Sequence, residues 1–270
     1  MQDIFRFRIA IQTILDYKKT TITLTLLFML ISVMYAGMFP AFKEPLEEMG
    51  ETGLFDSFSN FFGPATFDMA TYVGFLNLEL YQIFWMIILG IVIGFIAASI
   101  VSKEIEGKTI DLLMSNPVSR KQIVFEKFIG LIPMTLIINF GTMLAVIGIT
   151  IVIGEELDFG NLFLTHVASV PYFLAILGIA ILISVIINEK MKASITFIAL
   201  LMGMYVIETM SKTVPDYESI GVVSITHYFV PYDTLKFGDF NIGSALILIC
   251  VTTVCMVISL IYFEHKDITV

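Results

Sequence analysis

Residues 81–101 read YQIFWMIILGIVIGFIAASIV, 21 positions without a charge. A helix rising about 1.5 Å per residue needs about 20 apolar residues to cross roughly 30 Å of hydrocarbon, so this run is long enough to span a bilayer. Four more charge-free runs meet the same length: Thr20–Pro40, Phe128–Ile153, Val167–Ile187 and Ile242–Phe263. A sixth, Ala193–Ile207, has 15 residues before Glu208. It is too short for a perpendicular crossing unless the helix continues past that carboxylate, and it is counted as a span over 193–212. The expected architecture is an all-α membrane protein: a single transmembrane domain over 1–270 with six transmembrane helices.

Composition agrees. Of 270 residues 57% are hydrophobic and 14% charged, with mean hydropathy +0.92, against about 25% charged in an ordinary soluble domain. A water-soluble fold has nowhere to hide that much apolar surface. Cys250 and Cys255, five apart in the last apolar run, have the spacing of neither a zinc site nor a redox pair and are expected as packed thiols.

Cytoplasmic loops accumulate Lys and Arg, which gives the orientation. With the N-terminus inside, Arg6, Arg8, Lys18, Lys19, Lys103, Lys108, Arg120, Lys121, Lys127, Lys190, Lys192 and Lys266 are cytoplasmic, leaving Lys43, Lys212 and Lys236 outside, 12 against 3. The acids divide 9 inside and 15 outside, so the net charge of −9 belongs to the outer loops. The pI of 4.8 therefore implies no basic ligand, and nucleic acid binding has no support. A cleavable signal peptide is not expected, because the first apolar run is too long and lacks a small-x-small exit.

Before the first span, Ile4, Phe7, Ile11 and Ile14 share one helical face. This predicts an amphipathic interfacial helix over 1–19, the alternative being a plain extension of span one. The outer loop, 41–80, mixes Glu44, Glu47, Glu48, Glu51, Asp56, Asp68 and Glu79 with Leu54, Phe55, Phe58, Phe61, Phe62 and Phe67, a pattern of short surface helices rather than a cation site. Gly90 and Gly94 form a GxxxG, read as intramolecular packing. Met34 and Met38 align on one face, which suits gap filling better than a path for a soft metal.

The stretch that bears on function is Ser102–Lys127, SKEIEGKTIDLLMSNPVSRKQIVFEK, the only sizeable loop on the inner side. Ile110, Leu113 and Met114 give a first short helix an apolar face, and Pro117 disfavours the helical state at Asn116. Ser119 with Gln122 three residues on is a capping box opening the helix of span three. Gly107, Lys108 and Thr109 look like the end of a phosphate-binding loop, but that pattern needs a glycine where Ser102 stands. No nucleotide-hydrolysing machinery is expected, and no cofactor or metal site.

In this loop the chain resembles the ABC-2 type transporter permeases, on Glu104, Glu106, Gly107, Thr109, Leu112, Leu113, Pro117, Ser119, Arg120 and Lys127. It departs from them at Lys108, which separates Gly107 from Thr109. The resemblance implies a permease of a prokaryotic cell (inner) membrane that pairs with a second copy or a similar partner. It implies that two cytoplasmic ABC ATPase subunits, which bind the ATP, dock on a coupling helix within 102–127, and that transport is export. It also implies a re-entrant element after span five, for which Gly221–Val230, between Pro215 and Pro231, is apolar enough.

Glu208 is expected several ångströms below the outer interface, paired with Lys212 one turn on, the two facing the outer end of a translocation cavity or simply resting at the interface. A proton- or ion-coupled carrier is disfavoured, since the five long runs hold no charged side chain and Asn139 is their most polar residue apart from Gln82. An intramembrane enzyme would need His166 or His227 as base, and both are expected at the outer interface. A membrane-anchored regulatory subunit remains a further alternative.

Overall fold

The computed structural model describes residues 7–51, 69–110 and 118–267. The leucine pair Leu112 and Leu113, with Met114, Asn116 and Pro117, and the outer-loop residues 52–68 lie outside the described residues. Among the described residues six helical segments are long and apolar enough to cross a membrane: span one Arg8–Glu51, span two Tyr72–Glu106, span three Arg120–Ile153, span four Phe159–Ile186, span five Lys190–Thr213 and span six Ile242–His265. No strand occurs among them.

Span one is a single helix of 44 residues, about 66 Å long at the usual rise. Over residues 8–19 the leader is continuous with span one rather than a separate helix, since neither Pro nor Gly interrupts the chain there; residues 1–6, with Ile4, lie outside the described residues. Ala10 and Thr13 are buried while Ile11 and Ile14 point outward. The helix also runs beyond residue 40 into the expected outer loop, and Lys43 pairs with Glu155 at 3.3 Å.

Span two begins at Tyr72, winds as a π-helix over Leu76–Leu89, returns to α over Gly90–Ser99, and breaks at Ile100–Val101 before a short helix Ser102–Glu106. The break leaves the amides of Val101 and Ser102 to donate to Ser184 Oγ of span four at 2.9 and 3.1 Å. Gly94 permits the close crossing of span five: a Cβ there would sit 1.9 Å from Phe197 Cε1. The GxxxG therefore serves packing within the chain.

Span four is the central helix, with Tyr172, Phe173 and most of 175–181 buried. It starts earlier than its charge-free run, because Asp158 Oδ1 accepts from the amides of Gly160 and Asn161 and caps the helix at Phe159. His166, expected at an interface, is consequently inside the bundle with no exposed surface. Its Nδ1 lies 2.7 Å from Asn139 Oδ1 and its Nε2 3.0 Å from Tyr81 Oη, while Asn139 Nδ2 donates to Ser169 Oγ at 3.1 Å. A buried imidazole survives there because both nitrogens have partners. Spans one, three, five and six turn Leu30, Ile151, Val206 and Leu246 outward, as a helix bundle surrounded by lipid does. Cys250 is also exposed and only Cys255 is half-buried, so one of the two thiols expected in the packing is not there.

Candidate functional site

At one end of the bundle, the end that carries Arg8 and Lys266, side chains of 102–127 reach every span. Glu104 sits on the short helix after the break in span two, and its Oε1 pairs with Lys127 Nζ in the second turn of span three at 2.8 Å. Thr109 Oγ1 donates to the other oxygen, Oε2. Two residues on, Glu106 Oε2 accepts from the amide of Lys190 at 2.8 Å and caps the first turn of span five. A carboxylate there also meets the positive end of the helix dipole.

The turn after Glu106 is built on Lys108. The amide of Lys108 donates to Ile105 O at 3.1 Å and that of Thr109 to Glu104 O at 2.9 Å, the paired bonds of a Schellman motif. That motif wants a left-handed residue at its C′ position, and Lys108 supplies it with φ 53°. Glycine would adopt that φ without the Cβ penalty.

On the other side of the undescribed residues, Ser119 Oγ accepts from the amide of Gln122 at 3.1 Å, so the expected cap opens span three at Arg120. Arg120 donates to the carbonyl of Lys266 just past span six. Lys121 pairs with Glu264 at 2.7 Å on span six. Lys266 Nζ in turn donates to the carbonyls of Val185 and Ile186 at the C-terminal end of span four. Burial pulls the Lys266 ammonium below its usual pKa range. Lys103 Nζ donates to Tyr17 Oη of span one at 3.0 Å. A cavity of about 270 Å³ opens between span one and these residues, lined by Arg8, Gln12, Asp16, Glu104, Gln122, Glu126 and Lys127.

Of the residues that carry the resemblance, Glu104, Thr109 and Lys127 are brought together, Glu106 and Arg120 reach spans five and six, and Gly107 and Ser119 shape the turns. Sequence reading passed over Glu126, Ser184 and Lys266. The backbone groups they hold lie 80 or more positions away in the chain, and no local pattern marks them.

Glu208 and Lys212 lie at the opposite end. Glu208 is buried, its Oε1 is 3.0 Å from Lys212 Nζ and its Oε2 2.9 Å from His227 Nδ1. The imidazole belongs to the chain that follows span five as two 3₁₀ turns, Pro215–Val223 and Ile225–Tyr228. His227 also lines a cavity of about 270 Å³ with Asp233, Asp239 and Asn241. Burial holds the Asp233 carboxyl above the usual range, the charge of Asp239 adds to this, and Lys212 opposes it.

Six helices long and apolar enough to cross a membrane, gathered at one end by polar side chains, define a polytopic α-helical membrane protein. The chain belongs to the ABC-2 family of transporter proteins, whose family model matches residues 12–268. It is a multi-pass membrane permease of the ABC transporters, a class that works with ABC ATPase subunits. No curated protein sequence matches it significantly.

Proposed function

We propose that this permease is driven by two separate cytoplasmic ATPase subunits that bind the ATP and dock on the Ser102–Lys127 stretch, and that a second copy or a similar permease completes an export pathway. The end carrying Arg8 and Lys266 then faces the cytoplasm of a prokaryotic cell, in its inner membrane. The observation that carries this reading is the reach of that stretch: Ser102 to span four, Glu106 to span five, Arg120 and Lys121 to span six, and Lys103 to span one. A displacement imposed there arrives at all the helices together, as a rigid-body transmission requires.

The test is purification of the chain with its co-expressed ATPase. Hydrolysis in the complex is expected to fall when Glu106→Ala or Arg120→Ala cuts the links to spans five and six. A cysteine placed at Arg120 is expected to be labelled only from the cytoplasmic side. Labelling from the exterior, or hydrolysis indifferent to both substitutions, would remove the reading.

A further inference from the structure

Among the described residues, span one has no capping side chain of its own. No acid lies in its first turn, and Phe7, just before it, has φ 71°. The first amides of a helix have no intrahelical acceptor and must find one elsewhere. Here they find Glu126, on span three: its Oε2 accepts from the amide of Ile9 at 2.8 Å and from that of Ala10 at 3.1 Å. Oε1 accepts from Gln122 Nε2 at 2.6 Å. The residue is 2% exposed, so its charge is met by two backbone dipoles and the positive end of a long helix rather than by water. One turn further along span three, Gly130 lets the two helices touch: a Cβ there would sit 2.9 Å from Ala10 O and 2.7 Å from Thr13 Cβ.

We propose that Glu126 is a positioning residue that fixes the axial register of span one on span three, so that span one moves with the coupling stretch. Between this end and the part-exposed Lys43–Glu155 pair at the other, the described contacts are apolar atoms and threonines such as Thr13 and Thr25 whose hydroxyls bond within their own helix; apolar contact has no direction, so by itself it tolerates sliding of one helix along the other. Two amides held by one carboxylate set a register that sliding would break. Glu126 adjoins Lys127, whose ammonium holds Glu104 of span two. Neighbouring residues at the start of span three thus hold spans one and two separately.

This inference rests on the coupling reading above, and the experiment separates them. In the permease–ATPase complex in lipid nanodiscs, with Cys250 and Cys255 replaced by serine, two spin-label pairs are compared without nucleotide and with ATP plus vanadate. The pair at Lys121 and Lys190 reports whether the coupling stretch moves against span five. The pair at the outward-facing Leu15 and Phe125 reports the register of span one on span three.

The first distance is expected to change with nucleotide, and its constancy would fail the coupling reading. The second is expected to stay single and narrow in both states. Glu126→Leu, which keeps volume and removes the acceptor, is expected to broaden it and make it nucleotide-dependent. Glu126→Gln, which keeps one acceptor oxygen, is expected to restore the narrow distribution. If Glu126→Leu leaves the Leu15–Phe125 distance as in the parent, or if Glu126→Gln is as broad as Glu126→Leu, the assignment is overturned. If Glu126→Leu does not assemble, Glu126→Ser, too short to reach the two amides, takes its place: a broadened, nucleotide-dependent distance supports the assignment and one as narrow as the parent's overturns it.

Discussion

Lys127 Nζ stands 2.8 Å from Glu104 Oε1, with side chains only 6% and 19% exposed, and so joins the end of span two to the start of span three. Removing one partner of a pair this buried leaves a charge without its nearest partner, at a cost of about 3–5 kcal/mol. Glu104→Ala is therefore expected to lower the thermal stability of the purified permease sharply. Replacing both, Glu104→Ala with Lys127→Met, is expected to recover much of the loss. A double-mutant cycle on thermal unfolding measures the coupling, and additive losses would show that the contact contributes nothing.

The left-handed Lys108 offers a change in the other direction. A non-glycine residue at φ 53° carries a Cβ penalty of about 1 kcal/mol. Lys108→Gly is expected to raise the unfolding temperature and to slow amide exchange at Thr109, whose N–H closes the turn on Glu104 O. Lys108→Val is expected to do the reverse. An unchanged melting temperature in both variants would mean that the turn does not form.

What the sequence made legible was local. Ser119 was readable as a cap because its acceptor role needs only Gln122, three residues on. Glu208 and Lys212 were readable as a pair because a helix brings every fourth residue together. Five of the spans followed from run length alone, and span five from a helix continuing past Glu208. Glu126, Lys266 and Ser184 were not readable, since each satisfies backbone groups of a helix remote in sequence, and pairing at that range depends on how the helices pack. His166 was misplaced for another reason: a neutral imidazole does not end a span, and the start of span four is set by the cap at Asp158, eight residues earlier.

The carboxyl of Asp233 gives a pH dependence whose sign follows from its direction of shift. Its pKa in the folded chain lies above the ordinary 3.8, through burial first and then the charge of Asp239. The folded state therefore holds its proton longer than the unfolded state, and stability falls as pH rises from 3.8 through the raised value. Above that window the penalty is fully present. Asp239→Asn removes the second cause, so it is expected to stabilise the protein at pH 7 by a few tenths of a kcal/mol, about the size of an interaction between partly exposed charges. Melting curves at pH 7 and pH 3.5 decide: the gain is expected at the first and absent at the second.

The buried carboxylate of Glu208 holds two groups that belong to different parts of the chain. Lys212 is on its own helix, one turn away, whereas His227 comes from the 3₁₀ segment that packs back against span five. Lys212 and His227 both keep more than a third of their side chains exposed, so each can be solvated if released, while the segment itself has few other polar ties to span five. Glu208→Ala is therefore expected to loosen Pro215–Tyr228 without unfolding the bundle. Losing the imidazole bond, at about 1.4 kcal/mol, corresponds to roughly tenfold faster amide exchange in that segment. Lys212→Ala is expected to leave exchange there nearly unchanged, since it removes the partner on span five and keeps the one on the segment. Hydrogen exchange read by mass spectrometry over 215–228 separates the two variants, and equal acceleration in both would show that the Glu208–His227 contact does not fasten the segment.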